Sequence, residues 1–301
     1  MARLAEAAGE VPSQVPVLEV RQHSRDELRE RIQRLLAGAA EAIGISWQRA
    51  DWIEREQRTL VRLTEGARAV VYHASGAMYL TTGLNPMEYQ FDGVQERAAL
   101  ESLVNKHAEG LGLHSWAGEY GELRYERLWQ IKAGAADRDG VIVEPVLFRI
   151  VGTYRHYTHD LPVWGPASVA IKHAGNGLVD SLTVQLRETT GKAIDEVRTR
   201  PAEAGARVIA GQLEALIGKS DASIDEVARP HWMVFGYLSL SKRKSQRLLE
   251  PVYVAQIDIE GEDAQGYVLV APAADKVYMP LDRHGNDPLI TRTRSDTPSA
   301  A

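Results

Sequence analysis

The densest group of chemically capable side chains is His156, His159 and Asp160, with His173 returning some fourteen positions later. Two imidazoles and a carboxylate could ligate zinc or a similar divalent ion, or supply a general base with its orienting acid. The spacing works against this. His156 and His159 are three apart, so in an extended strand they face opposite sides and converge only if a turn begins near Tyr157. The competing reading is a set of solvated polar groups on a hairpin. Tyr154, Tyr157 and Trp164 add aromatic surface beside it, suited to anchoring a peptide or to ordinary packing.

A second group is basic. Lys242, Arg243 and Lys244, with Arg247, could meet phosphates or an acidic partner. They also fall between two expected strands, where a charged loop is the normal connection. His107 lies on an otherwise apolar helical stripe and reads as a hydrogen-bonded core residue. His73 and His114 show no sequence partner.

Other chemistry is bounded by what is missing. There is no P-loop, no Gly-x-Gly-x-x-Gly after a strand, no Gly-x-Ser-x-Gly elbow and no His-Glu-x-x-His. The 301 residues contain no cysteine, which removes disulfides, thiol nucleophiles and thiolate metal sites. A net charge of -6 argues against a general nucleic-acid binder. No catalytic residue, metal site or cofactor is assigned. No apolar stretch is long enough to span a bilayer, and no secretory signal is visible, so the expectation is a cytoplasmic protein, or an extracytoplasmic one if a leader has been removed.

The elements that must position these groups follow from periodicity. Residues 1–22, interrupted by Pro12 and Pro16, read as a flexible arm. Ser24 and Glu27 form a capping-box pair ahead of a helical face made of Leu28, Ile32, Leu35, Leu36, Ala39 and Ile43, stopped by Gly44. Trp47, Trp52 and Ile53 suggest a short helix ending near Arg58. Three short strands follow (59–63, 67–73, 77–81), and then a helix capped by Asp92 and closed by Gly112. Strands are expected at 124–131 and 141–157. The chain turns at 160–166, returns over 167–173, turns at Gly175-Asn176-Gly177 and runs out over 178–186. Leu182, Val184 and Leu186 alternate there with polar residues, the signature of a sheet with one buried face. Residues 141–186 therefore read as a three-stranded antiparallel meander. A helix near 201–217 and strands at 232–240, 251–259 and 266–271 repeat the layout. The fold class is α+β, with helices packed on antiparallel meander sheets. The domains read as 23–121, a helical and small-sheet unit, and 122–282, an antiparallel α+β unit, followed by a disordered tail over 283–301.

The run Tyr154-Arg155-His156-Tyr157, then Asp160-Leu161-Pro162-Val163-Trp164-Gly165-Pro166, then Val169–His173 and Gly175-Asn176-Gly177-Leu178, resembles PepSY-type domains and the related propeptide domains of thermolysin- and fungalysin-like proteases. The later Phe235-Gly236-Tyr237 and Leu249-Glu250-Pro251-Val252-Tyr253 are similar to the end of such proteins. The family usually has Gly where Asp160 stands. The resemblance implies cystatin-like units, each a helix packed across an antiparallel sheet, repeated along the chain. It also implies a non-catalytic binding module, inhibitory or chaperone-like, with a protein or peptide partner. The alternative is an enzyme or accessory protein of a biosynthetic pathway using a His/Asp/Tyr site at the 154–164 hairpin. The binding residues expected are Tyr154, His156, Tyr157, His159, Asp160, Trp164, Lys242 and Arg243.

Overall fold

Local sequence chemistry sets the first long helix. The Ser24 hydroxyl accepts the Glu27 amide, the Glu27 carboxylate accepts the Ser24 amide, and Gly44 closes the far end at φ 74°. These are the two halves of a capping box and a left-handed C-cap. The computed structural model describes residues 2–85, 88–93, 95–134, 138, 144–217, 228–259 and 265–278. In chain order the helices and strands are α1 (Ala2–Glu6), β1 (Gln14–Val20), α2 (Arg25–Ile43), β2 (Asp51–Glu54), β3 (Arg58–Arg62), β4 (Arg68–Tyr72) and β5 (Met78–Thr81). Next come α3 (Arg97–Gly110), β6 (Gly121–Ala133), β7 (Val146–Thr158), β8 (Leu161–Trp164), β9 (Ser168–His173) and β10 (Val179–Gln185). The chain ends with β11 (Thr189–Arg198), α4 (Ala202–Ile217), β12 (Ala228–Leu238), β13 (Leu248–Leu249), β14 (Pro251–Ile259) and β15 (Gln265–Pro272). The class is α+β, with open, mostly antiparallel sheets. Among the described residues no helix is long and apolar enough to cross a membrane.

The chain forms two compact units, and neither is a single run of sequence. One comprises 20–190 with 239–247. The other comprises the described residues of 1–19, 191–238 and 248 onward. The expected boundary at residue 121 is therefore replaced. Residues 23–121 and 122–190 share one core.

In the 20–190 unit β6 pairs along one edge of β7, and the other edge takes β9 at Ile150–Arg155 and the short β8 at Tyr157–Thr158; beyond β9 the order is β10-β5-β4-β3-β2. The expected meander is present as β7-β9-β10, with Tyr154 opposite Val169 and Leu182 opposite Ile171. Its predicted first residues, 141–143, lie outside the described set. Helices α2 and α3 cover one face. The core under them combines Leu28, Ile32, Leu35 and Leu36 with Val104, Ile150, Ile171 and Leu182. Gly152 on β7 permits close approach, because a methyl group there would stand 2.2 Å from Val104 Cγ1.

In the other unit α4 lies on the antiparallel sheet β12-β14-β15. Gly205 rests against the Tyr253 ring, whose hydroxyl donates to Arg200 O at 2.7 Å. Strand β1 sits between β11 and β13. Val15, Val17 and Leu18 on it are buried. Residues 14–20 are therefore a core strand and not an arm. The proline spacing that suggested a loose segment is tolerated because β13 pairs only with Leu18 and Glu19.

Two further expectations are corrected. Asp51–Glu54 is a strand paired with β3, so the two tryptophans do not mark a helix. Helix α3 starts after Glu96, and Asp92 lies outside it. The expected tail at 283–301 falls outside the described residues.

Candidate functional site

Strand β7 sorts the predicted site residues onto two faces. Alternate positions Ile150, Gly152, Tyr154, His156 and Thr158 point toward the helices, while Val151, Thr153, Arg155 and Tyr157 are half-buried on the opposite face. Tyr154 and His156 are thus core residues and present no surface to a partner. The Tyr154 hydroxyl donates to Asn105 Oδ1 at 2.5 Å, its ring meets His114 and Tyr125 edge-on, and burial pushes its pKa up to about 12.

His159 and Asp160 have a backbone task. With φ of 50° and 59° they form the two-residue connection of the β7–β8 hairpin, closed by the Thr158–Leu161 pair. Both central residues at positive φ give the turn whose twist suits flanking strands, and Asp tolerates that region better than most residues. This is the position where Gly would be expected from the family resemblance. Asp160 is exposed and reaches Arg124 at 3.1 Å. The turn therefore begins after Thr158, too late to fold His159 back toward His156.

His173 is also removed from this group. Ile150 pairs with His173 and Arg155 with Ser168, so His173 lies about six residues, roughly 20 Å, along the strand from His156. Its Nε2 instead shares a hydrogen bond with His107 Nδ1 at 3.0 Å. Among the described residues no cluster of three or more His, Asp or Glu could hold a metal ion. The zinc reading of His156, His159, Asp160 and His173 fails on this geometry.

Of the aromatic pair, Tyr157 lies under the Arg124 guanidinium and Trp164 under that of Arg155. Lys242 sits over the rings of Tyr72 and Tyr79, at 4.9 and 4.3 Å, so its charge is taken up by the sheet. Arg243 is exposed. The segment carrying both is pinned by Arg187. This buried side chain donates to the carbonyls of Ala74, Leu240, Ser241 and Lys244, and burial pulls its pKa down to about 10.

The structure adds a polar group that the sequence spacing does not assemble. Arg31 and Glu188 form a buried ion pair, with Arg31 Nη1 donating to Glu188 Oε1. Glu188 Oε2 lies 3.9 Å from His23 Nε2. Arg31 and Arg34 both stack on the Trp116 ring, at 5.2 and 4.5 Å. His156 stands nearby. A methyl group on Gly121 would lie 2.6 Å from its Nε2, and Glu188 acts electrostatically on the ring. Both ring nitrogens are buried without a hydrogen-bond partner, and desolvation pulls the pKa down to about 4. One sequence signal pointed here. Arg31 falls on the apolar stripe between Leu28 and Leu35, where a charge must find a buried partner.

The outer edge of β6 is a different kind of site. Among the described residues β6 pairs only with β7, over Gly121–Ala133. Bulges at Tyr125/Arg127 and Ile131/Lys132 bracket a regular run, Arg127–Ile131. Within it Trp129 and Ile131 are 51% and 43% exposed. Arg127 lies over the Trp129 ring at 4.7 Å.

No protein-family model matches the chain, and no curated relative does. Among solved structures, an uncharacterized protein from Eubacterium rectale ATCC 33656 is similar at a TM-score of 0.55 and 11% identity, over 89% of this chain and 86% of that one. That likeness concerns the fold alone. The Bacillus megaterium YpeB C-terminal domain aligns over 85% of this chain and 95% of its own at 10% identity, with a TM-score of 0.31.

Proposed function

We propose that the protein is a non-catalytic binding module of PepSY type, which takes up an extended polypeptide by strand addition along the outer edge of β6. The observation that carries this reading is the open run Arg127–Ile131, a strand edge unpaired among the described residues, with Trp129 and Ile131 exposed on it. Natural sheets guard such edges with charge, proline or short length, because free backbone groups are a template for pairing. Here Glu122, Arg124, Glu126 and Lys132 flank the run, while its centre is aromatic and aliphatic. Strand addition uses main-chain hydrogen bonds for affinity and alternate side chains for selectivity. The stacked Arg127–Trp129 pair and Ile131 would offer contacts for an aliphatic and an acidic side chain two positions apart. The helix-on-sheet layout of each unit, with the resembling stretches 160–166 and 175–177, supports the PepSY-type reading.

The test is selection of random extended peptides on the intact chain, followed by amide exchange of the chain with the selected peptide. Binders should protect amides of 127–131, and a Trp129→Lys/Ile131→Lys variant should lose them while keeping its melting temperature. Failure to select any binder, or protection elsewhere, defeats the proposal. Protection of 127–131 that depends on protein concentration without peptide would mean that a second copy occupies the edge instead.

A further inference from the structure

The buried Arg31–Glu188 pair forms one wall of a cleft of about 540 Å³, within the size range of small-molecule sites. Its lining carries both signs of charge, Arg21, Arg31 and Arg34 with Glu27, Glu30 and Glu188. Two of the three possible pairs are already made. Arg21 is bonded to Glu27 at 3.0 Å, and Arg31 to Glu188. Arg34 and Glu30 remain. They are one helical turn apart on α2, the spacing at which a Glu–Arg pair normally closes. Among the described residues neither makes an ion pair. The Arg34 guanidinium carbon lies over the face of Trp116, 4.5 Å from the ring centre. A ring face takes up the positive charge and leaves the guanidinium's N–H donors able to bond a carboxylate. On the wall, Arg31 occupies one oxygen of Glu188, and the second faces His23 at 3.9 Å.

The geometry points to a binding site for a small zwitterion that carries both an ammonium and a carboxylate, either a free α-amino acid or a short peptide. The carboxylate takes the open fork of Arg34 in a bidentate contact. The ammonium lies between Glu30 and the second oxygen of Glu188, the one that faces His23, with His23 as a further partner. His23 is held mainly uncharged by burial, so it can accept from an ammonium at neutral pH. A simple anion would have to approach three carboxylates, and a simple cation three guanidiniums. A dipolar ligand completes both unmade charges at once. The cleft does not involve β6, and its occupancy is independent of strand addition there.

The experiment is NMR titration of the full chain, following the Trp116 indole and the Arg34 side chain. The ligands are the common α-amino acids, di- and tripeptides, their N-acetyl and amide-blocked forms, and inorganic phosphate. A zwitterion should shift both probes. Either blocking group should weaken binding at least about tenfold, the effect of one lost charge-assisted contact. Arg34→Gln and Glu30→Gln, both on the surface, should keep the fold and lose binding to a similar degree. Preference for amino acids over peptides, or the reverse, identifies which bearer of the two charges is accepted. The proposal is overturned if no zwitterion shifts the probes. It is also overturned if phosphate or N-acetyl forms bind as well as the parent, or if Arg34→Gln binds unchanged.

Discussion

Arg31 on α2 and Glu188 at the end of the meander, 157 residues apart in sequence, meet as a buried ion pair with each side chain about nine-tenths covered. Burial alone pulls the Arg31 guanidinium down, and the Glu188 carboxylate opposes that shift. The pair is therefore a mutual requirement. Removing one partner leaves the other charge uncompensated in the interior. Glu188→Leu or Arg31→Met alone should cost about 3–5 kcal/mol, while the double apolar variant should lie much closer to wild type. Urea midpoints of the three variants check this, and additive losses would show that the two residues are not coupled.

His156 gives the protein a predicted acid sensitivity. The folded chain holds its imidazole at a pKa of about 4, against an ordinary value near 6.5, chiefly because burial disfavours the cation. Between these values the unfolded chain takes up a proton that the folded chain refuses. Stability is therefore complete above about pH 6.5 and falls as pH drops toward 4, by about 3 kcal/mol from this residue. His156→Leu removes both the titration and two unpartnered buried nitrogens. The slope of its stability between about pH 6.5 and 4 should fall to about half, because His173, whose pKa burial lowers to about 3, contributes a comparable slope over the same range. Denaturation midpoints across that window decide it, and an unchanged slope would remove His156 as the cause.

What the sequence made legible is what neighbours in the chain determine. The capping box at Ser24 and Glu27, the Leu28–Ala39 stripe and the Gly44 stop are set within a few residues of one another, and all three occur. The β7-β9-β10 meander followed from period-two alternation. Its hairpin turn shows why a polar cluster can mislead, since His159 and Asp160 are there for backbone conformation. Strand β1 was hidden because Pro12 precedes it and Pro16 interrupts it. Strand β11 (TTGKAIDEVR) was hidden because its exposed side chains outnumber its buried ones. The polar group of His23, Arg31, His156 and Glu188 depends on strand order, which no local period encodes.

Gly152 and Val104 form a second coupled pair. A methyl group at 152 would come within 2.2 Å and 2.8 Å of the two Val104 methyls, closer than packed atoms approach. Gly152→Ala should destabilise by about 1–3 kcal/mol despite alanine's lower unfolded-state entropy. Val104→Ala in the same chain should recover much of that loss, although alone it opens a cavity and costs stability itself. A double-mutant cycle measures the coupling. No recovery would mean that α3 does not rest on β7 at this point.

Tyr237 and Pro16 distinguish a strand from an arm at the N-terminus. The fully buried Tyr237 hydroxyl donates to Pro16 O at 2.9 Å, and burial raises its pKa. Tyr237→Phe keeps the ring and loses the bond, for an expected cost of about 1 kcal/mol. Deleting residues 2–19 is a harsher test. Val15, Val17 and Leu18 are each almost wholly buried, and at roughly 1.5–3 kcal/mol per side chain their removal forfeits roughly 5 kcal/mol or more. That is comparable to the whole stability of a small domain. The truncated chain should therefore lose the unit containing α4 and β12-β14-β15, read by proton–nitrogen NMR dispersion and rapid proteolysis within 191–238. A loose arm would leave the melting temperature and the spectrum of that unit unchanged, and that outcome would refute the role assigned to β1.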